Sequence, residues 1–129
     1  MGTFLVEIEI GDPQGERFEA LSALVDTGST YTVVPRQLLE QLGVAPHTRD
    51  NFRLADGRII EQDIGRTWVR VDGREEITLV VFGGEGSSSL LGAYTLEGFR
   101  LAADPVRKRL IPVEGLLMSN GNSELPNSR

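Results

Sequence analysis

The chain has 129 residues, of which 40% are hydrophobic and 25% are charged, and its formal net charge is −6. This length and composition are typical of one globular domain. The acidic balance argues against nucleic acid and anionic membrane surfaces as partners, because both require a basic protein surface.

The chain contains no cysteine, so it forms no disulfide, as is usual in a reducing compartment. Its N-terminus lacks the basic region and the apolar segment of a signal peptide. No apolar run approaches the roughly 20 residues that are needed to span a bilayer. These features predict a cytoplasmic protein.

The N-terminal quarter predicts a β-hairpin. Apolar residues alternate with other residues over 4–10, which indicates a strand that we expect near the edge of the sheet. Asp12-Pro13-Gln14-Gly15 follows with Pro at the second position and Gly at the fourth, as in a type I turn. Residues 17–25 then run back as the second arm, which delivers Asp26 at its far end.

The middle of the chain predicts a short buried strand at 32–34 and a helix over 35–42. Proline suits the first position of a helix, and Gly43 is a suitable stop. Two Asp-Gly dipeptides, Asp56-Gly57 and Asp72-Gly73, lie between strand-like arms and predict two successive hairpins. The arms are 53–60 for the first hairpin, and 68–71 and 77–82 for the second.

The remaining segments complete an all-β fold with one or two short helices. Glycine and serine predict a loop over 83–89, and a helical turn is expected at 94–97. A last hairpin is expected from the arms 99–102 and 109–113. The domain is predicted to occupy residues 1–118, and the polar segment 119–129 is predicted to be a disordered tail.

One hexapeptide, Leu24-Val25-Asp26-Thr27-Gly28-Ser29, places a carboxylate directly after an apolar strand. Such a carboxylate is costly unless it is paired or hydrogen-bonded. Glycine permits a tight turn, and the two hydroxyls can hold a carboxylate. The other aspartates that precede Pro or Gly are expected to be exposed turn residues: Asp12, Asp56, Asp72 and Asp104.

This hexapeptide resembles the active-site turn of the retropepsin-like aspartic peptidases. Leu90-Leu91-Gly92 resembles the apolar-apolar-Gly motif of that family, which packs under the turn, and residues 53–60 occupy the position of its flap. The resemblance extends over most of the chain, from about Phe4 to Val113. It implies a retropepsin-like acid-protease β-barrel. Since the chain holds one such turn, it also implies a two-fold homodimer.

The resemblance further implies an aspartic endopeptidase. The Asp26 carboxylates of two subunits would share one proton and activate a water, with no metal and no cofactor. Thr27 would link the two turns, the Gly28 N–H and the Ser29 hydroxyl would donate to Asp26, and Asp26, Thr27 and Gly28 form the catalytic set. The residues assigned to binding a peptide or unfolded protein substrate are Ser29 and the flap residues Ala55, Asp56, Gly57 and Arg58.

Two other interpretations remain open from the residues. The chain could be a catalytically silent retropepsin-like module that binds peptides or dimerises, or a small β-barrel binding domain in which Asp-Thr-Gly is coincidental. The single histidine, His47, excludes a multi-histidine metal site. A Ser-His-Asp triad has no Gly-x-Ser-x-Gly turn to support it.

Overall fold

The computed structural model describes residues 3–115 and 117–118, and strands dominate it. The elements in chain order are β1 (Phe4–Gly11), β2 (Phe18–Val25), β3 (Thr32–Pro35), α1 (Arg36–Gln41), β4 (Thr48–Arg53), β5 (Ile59–Val71), β6 (Arg74–Gly83), β7 (Leu90–Leu91), α2 (Ala93–Gly98), β8 (Leu101–Asp104) and β9 (Arg109–Pro112). The all-β prediction with two short helices is therefore confirmed. The tail predicted for 119–129 lies outside the described residues.

Seven strands form one sheet in the order β1-β2-β7-β3-β6-β5-β4, and β1 also pairs with β5. The second pairing places Ile8–Ile10 opposite Val69–Val71 and closes the sheet into a barrel. The prediction that β1 lies near an edge holds for residues 4–7, which pair with β2 alone within the described residues, but not for residues 8–10, which have a neighbour on both sides. The edge strand is β4, which pairs with β5 alone within the described part of the chain.

Local turn chemistry fixes the hairpins as predicted. Asp72 and Gly73 join β5 to β6 with φ of 52° and 79°, which is the type I′ geometry that Asp-Gly favours. Gly57 has φ of 90° and closes the β4–β5 hairpin at the predicted tip. In the first hairpin, the Gly15 N–H donates to the Asp12 carbonyl at 3.0 Å. The last hairpin pairs β8 with β9 as a separate two-stranded sheet.

The predicted helix is α1, which begins directly after Pro35 and ends before Gly43. Leu39 and Leu42 are buried on its inner face, and Gly43 has φ of 77°, the left-handed conformation of a helix stop. The second predicted helical turn is α2. Across residues 3–115 and 117–118, neither helix has the length or the apolar character for crossing a bilayer.

The hydrophobic core fills the barrel and extends under both helices. Side chains from the sheet alternate inward and outward, so every second position of a strand contributes to the core. The largest fully buried side chains of the described residues are Phe82, Phe99, Ile8, Ile10, Leu39, Leu91, Val25, Val34, Val69, Val71, Val80 and Thr32.

Asp12 departs from the sequence-based prediction. We expected an exposed turn residue, but Asp12 is only 7% exposed. Its Oδ1 accepts hydrogen bonds from the backbone N–H groups of Arg17 at 3.1 Å and Glu16 at 2.7 Å. These donors, Arg17 first, hold the pKa of Asp12 below its usual value. The prediction was wrong because the carboxylate folds back over its own hairpin turn.

Candidate active site

Asp26 follows the last residue of β2, and the strand pairings bring it to a defined place. Val25 is fully buried and is opposite Phe4 on one side and Leu91 on the other. The Asp26 N–H donates to the Leu91 carbonyl at 3.1 Å, so the backbone of Asp26 continues the pairing with β7. The carboxylate therefore emerges at the point where the barrel wall ends.

The turn after β2 holds this carboxylate with a hydrogen bond from its own backbone. The Gly28 N–H donates to Asp26 Oδ1 at 3.0 Å, and the Ser29 N–H donates to the Asp26 carbonyl at 3.0 Å. A Cβ at position 28 would lie 3.3 Å from Oδ1, which makes glycine the residue that best fits this approach. The structure gives the other carboxylate oxygen, Oδ2, no hydrogen bond from the described residues.

The segment Leu90-Leu91-Gly92 lies beside this turn, as predicted. The Ala93 and Tyr94 N–H groups, just after it, donate to the carbonyls of Ser29 and Thr30, each at 2.9 Å. A Cβ on Gly92 would lie 2.6 Å from the Tyr31 carbonyl oxygen. Only glycine permits the chain to pass this close, so the start of α2 is fastened directly to the turn.

Three buried threonine hydroxyls connect β3, β6 and α2 behind the turn. Thr32 Oγ1 lies 2.7 Å from Thr95 Oγ1, and Thr78 Oγ1 lies 3.1 Å from the same atom. Thr32 Oγ1 also accepts the Gly92 N–H at 3.1 Å. Sequence reasoning missed this cluster. The available signal was a polar residue at each of three core-facing positions.

The predicted site residues near Asp26 are exposed or half-buried. Thr27 and Gly28 are exposed, and Asp26 and Ser29 are half-buried. The structure gives the Ser29 hydroxyl a different partner from the predicted one, because Ser29 Oγ donates to the Tyr31 carbonyl at 3.2 Å.

The predicted flap is the β4–β5 hairpin, which extends past the closed barrel. Its four predicted site residues, Ala55 to Arg58, are all exposed at the tip. Arg58 donates to Asp56 from its backbone N–H at 3.0 Å and from Nε at 2.8 Å. The backbone donor first, and then the side chain, lowers the pKa of Asp56. Within the described residues no hydrogen bond joins this tip to the Asp26 turn.

The base of the flap is tied to α1 by a charged cluster. Asp63 on β5 is only 16% exposed at its side chain, and it accepts from Arg36 at 2.6 Å and from Arg49 at 2.7 Å. These guanidinium groups, Arg36 first, lower the pKa of Asp63. Both charge signs alternate closely between residues 49 and 76, and no local pattern there identifies this half-enclosed carboxylate.

Two aromatic contacts lie between the turn and its neighbours. The ring of Tyr31 meets that of Phe52 on β4 edge-on, with centroids 5.6 Å apart and planes at 82°. On α2, the Tyr94 ring lies 6.1 Å from the ring of Tyr31. No pattern near these residues predicts either contact.

An apolar row crosses the outer face of the sheet beside Asp26. Leu5, Leu24, Leu90 and Val33 are successive partners across β1, β2, β7 and β3. Leu24 lies on the face opposite to buried Val25, because neighbouring residues in a strand point to opposite faces. Leu5 is 67% exposed, and the other three are half-buried. We call these four residues the outer row.

A closed barrel, an Asp-Thr-Gly turn at the end of β2 and a hairpin that overhangs the barrel define the retropepsin-like class of folds. The family model described as an aspartyl protease matches residues 6–95, which is more than half of the chain. The chain belongs to the aspartyl protease family. Comparison with curated protein sequences gives no match.

Solved structures agree with this fold. The chain is similar to the protease of simian foamy virus (mac), with a TM-score of 0.52 and 26% identity over 72% of this chain and 91% of the viral chain. It is also similar to the retroviral protease-like domain of Ddi1 from Leishmania major. There the TM-score is 0.51 and the identity 19%, over 84% of this chain and 87% of that domain.

Proposed function

We propose that the protein is an aspartic endopeptidase that works as a homodimer and cleaves peptides or unfolded proteins. The observation that carries this proposal is the Asp26 carboxylate. One of its oxygens accepts the Gly28 N–H, and the other has no hydrogen bond from the described residues. Membership of the aspartyl protease family supports the same conclusion.

The chemistry requires a second carboxylate beside the first. Two carboxyl groups about 3 Å apart do not both ionise readily, because their negative charges repel, as is known for the carboxylate pairs of aspartic proteases. The two Asp26 side chains would therefore hold one proton between them. The ionised member accepts a proton from water as the water oxygen attacks the scissile carbonyl carbon, and the protonated member donates to the carbonyl oxygen. When the C–N bond breaks, a protonated carboxyl of the pair donates to the leaving nitrogen.

The outer row supports the proposal that the second carboxylate comes from another copy of this chain. It is apolar, it is partly exposed, and one of its inner members, Leu24, is two residues before Asp26. A two-fold axis passing near Thr27 would bury the outer row of one subunit against that of the other. The same axis would bring each Thr27 close to the turn of the partner.

The flap supports a substrate in extended conformation. The β4–β5 hairpin extends beyond the barrel, and its tip is exposed, so it is free to cover a bound chain. Closure over a substrate would exclude water from the carboxylate pair and add contacts to the substrate backbone. A hairpin covers a single extended chain more readily than a folded domain, so we propose unfolded segments as substrates.

The test is cleavage of an unstructured protein such as casein, at acidic pH, by the intact chain and by Asp26→Asn. Asparagine has nearly the same shape but cannot act as a general acid or base. We expect a loss of about 10²- to 10⁴-fold in kcat, the range of general acid–base catalysis. The matched control is Asp72→Asn, the same chemical change in an exposed hairpin turn, and it should cleave at the wild-type rate.

Association is measured in the same preparations by sedimentation. Activity per chain should rise with protein concentration as monomers pair, and Leu5→Asp should move that rise to higher concentration. Equal cleavage by Asp26→Asn would overturn the catalytic role of Asp26, and full activity in a strict monomer would overturn the homodimer. A dimer without cleavage would favour the catalytically silent module.

A further inference from the structure

The flap strand β4 lies at an edge of the sheet. It pairs with β5 alone within the described part of the chain, and it leads directly into the exposed tip at 54–58. Such a strand can move with the hairpin while the closed barrel stays in place. Contacts between β4 and the fixed part of the molecule therefore influence where the flap rests.

Tyr31 belongs to the fixed part. It directly precedes Thr32, which is fully buried, and its carbonyl accepts the Ser29 hydroxyl. The carbonyl also lies so close to Gly92 that no side chain fits there. The backbone of Tyr31 is thus held by the turn on one side and by the start of α2 on the other.

The ring of Tyr31 joins this fixed segment to the edge strand β4. It contacts the edge-on ring of Phe52 on β4 at a centroid distance of 5.6 Å. Phe52 is two residues before the tip and is opposite Ile60 in the hairpin. A movement that lifts the hairpin away from the turn must separate these two rings.

We propose that Tyr31 is a positioning residue that couples the flap to the Asp26 turn through Phe52. The proposal rests on the proposed function for its consequence in catalysis, but the coupling itself does not require activity. Edge-to-face aromatic pairs favour the joined state by about 2- to 10-fold. Loss of either ring should therefore raise the population of the open flap by about that factor.

The first test is amide hydrogen exchange in the full chain. The reporters are the Leu54 and Gly57 N–H groups, which donate to the Arg58 and Leu54 carbonyls within the tip. They exchange when the end of the hairpin opens locally, and that opening also separates Phe52 from Tyr31. We expect Tyr31→Leu and Phe52→Leu each to speed exchange at the tip by about 2- to 10-fold. The amides shared by β1 and β2 should exchange at the wild-type rate.

Three variants make this test specific. Tyr31→Phe keeps the ring and should restore slow exchange. The double variant Tyr31→Leu/Phe52→Leu should exchange no faster than either single variant, because both remove the same contact. Tyr94→Leu removes the contact on the α2 side and should leave the tip unchanged. Wild-type exchange at the tip of Tyr31→Leu, or additive effects in the double variant, would overturn the coupling.

The second test is steady-state kinetics on the casein-type substrate. If the flap contributes binding in both the ground state and the transition state, Tyr31→Leu should raise KM by about 2- to 10-fold and leave kcat unchanged. Tyr31→Phe should restore the wild-type KM. A purely structural role would instead lower the melting temperature and speed exchange in every strand, and that result would overturn the proposal. Absence of cleavage by the wild-type chain would overturn the proposed function alone.

Discussion

Two turns of this molecule begin with an aspartate directly after a strand, and the two carboxylates have different hydrogen bonds and exposure. Asp12 follows β1 and Asp26 follows β2. The Asp12 carboxylate accepts two backbone N–H groups and is 7% exposed. The Asp26 carboxylate accepts one and is half-buried.

The difference lies in where each turn obtains its support. At Asp12 the carboxylate itself closes the hairpin, so its oxygens are used within the turn. At Asp26 the support comes from outside, since Ala93 and Tyr94 donate to the turn carbonyls. A turn that is held by its neighbours does not need its carboxylate for its own stability. We infer that this arrangement leaves the Asp26 carboxylate available for chemistry.

The largest expected effect on stability comes from Thr32→Val, which removes the buried hydroxyl hydrogen bonds behind the Asp26 turn. Valine has nearly the same shape as threonine, but it leaves the buried Gly92 N–H and the Thr95 hydroxyl without this partner. An unsatisfied buried polar group costs about 1–3 kcal/mol. The free energy of unfolding should fall by that amount in chemical denaturation, and cleavage should fall as well.

Thr32→Ser is the matched control for that experiment, because serine keeps the hydroxyl and removes only a methyl group. It should be more stable than Thr32→Val. Equal stability of the two variants would mean that packing, and not the hydrogen bonds behind the turn, holds this region.

The next expected effect concerns Asp12 and depends on pH. Asp12→Asn keeps an acceptor oxygen but removes the charge that the Arg17 and Glu16 N–H groups stabilise, so the melting temperature at neutral pH should fall. Because folding lowers the pKa of Asp12, its contribution is complete above the ordinary value of 3.8. It is lost as the pH falls through the lower folded value.

The measurement is a series of thermal melts of wild type and Asp12→Asn between neutral and strongly acidic pH. The gap between the two melting temperatures should narrow below the ordinary pKa of aspartate, and cleavage per folded chain should match wild type. A gap that stays constant with pH would show that the charge of Asp12 is not what stabilises its turn.

The two turns also show what the sequence can predict. Asp-Gly dipeptides favour hairpins through the backbone conformation of two adjacent residues, so the hairpin at Asp72-Gly73 was predictable from the sequence alone. The same holds for α1, whose leucine spacing and flanking residues are local signals. Asp26 was identifiable as a candidate catalytic residue because it follows an apolar strand and because its neighbours resemble a known turn.

Features that depend on distant residues were not predictable. The Thr32–Thr95 hydrogen bond joins residues 63 positions apart, and no pattern near either residue specifies the other. The closure of the barrel by β1 and β5 was not predictable for the same reason, because these strands are also far apart in the sequence. Asp12 was misjudged for a subtler reason, because its turn was predicted correctly but the rotation of its side chain toward the Arg17 N–H was not.

The smallest expected effect is the most informative one for the comparison of the two turns. Asp26→Asn should change the free energy of unfolding by no more than about 0.5 kcal/mol, as is usual for residues outside the core and outside buried networks. The asparagine oxygen can still accept the Gly28 N–H, and the turn carbonyls keep their partners from α2. Chemical denaturation at neutral pH, where both chains fold, measures this change. A loss of stability as large as that expected for Thr32→Val would make Asp26 a structural residue of the same kind as Asp12. In that case its position at the end of β2 would no longer indicate catalysis.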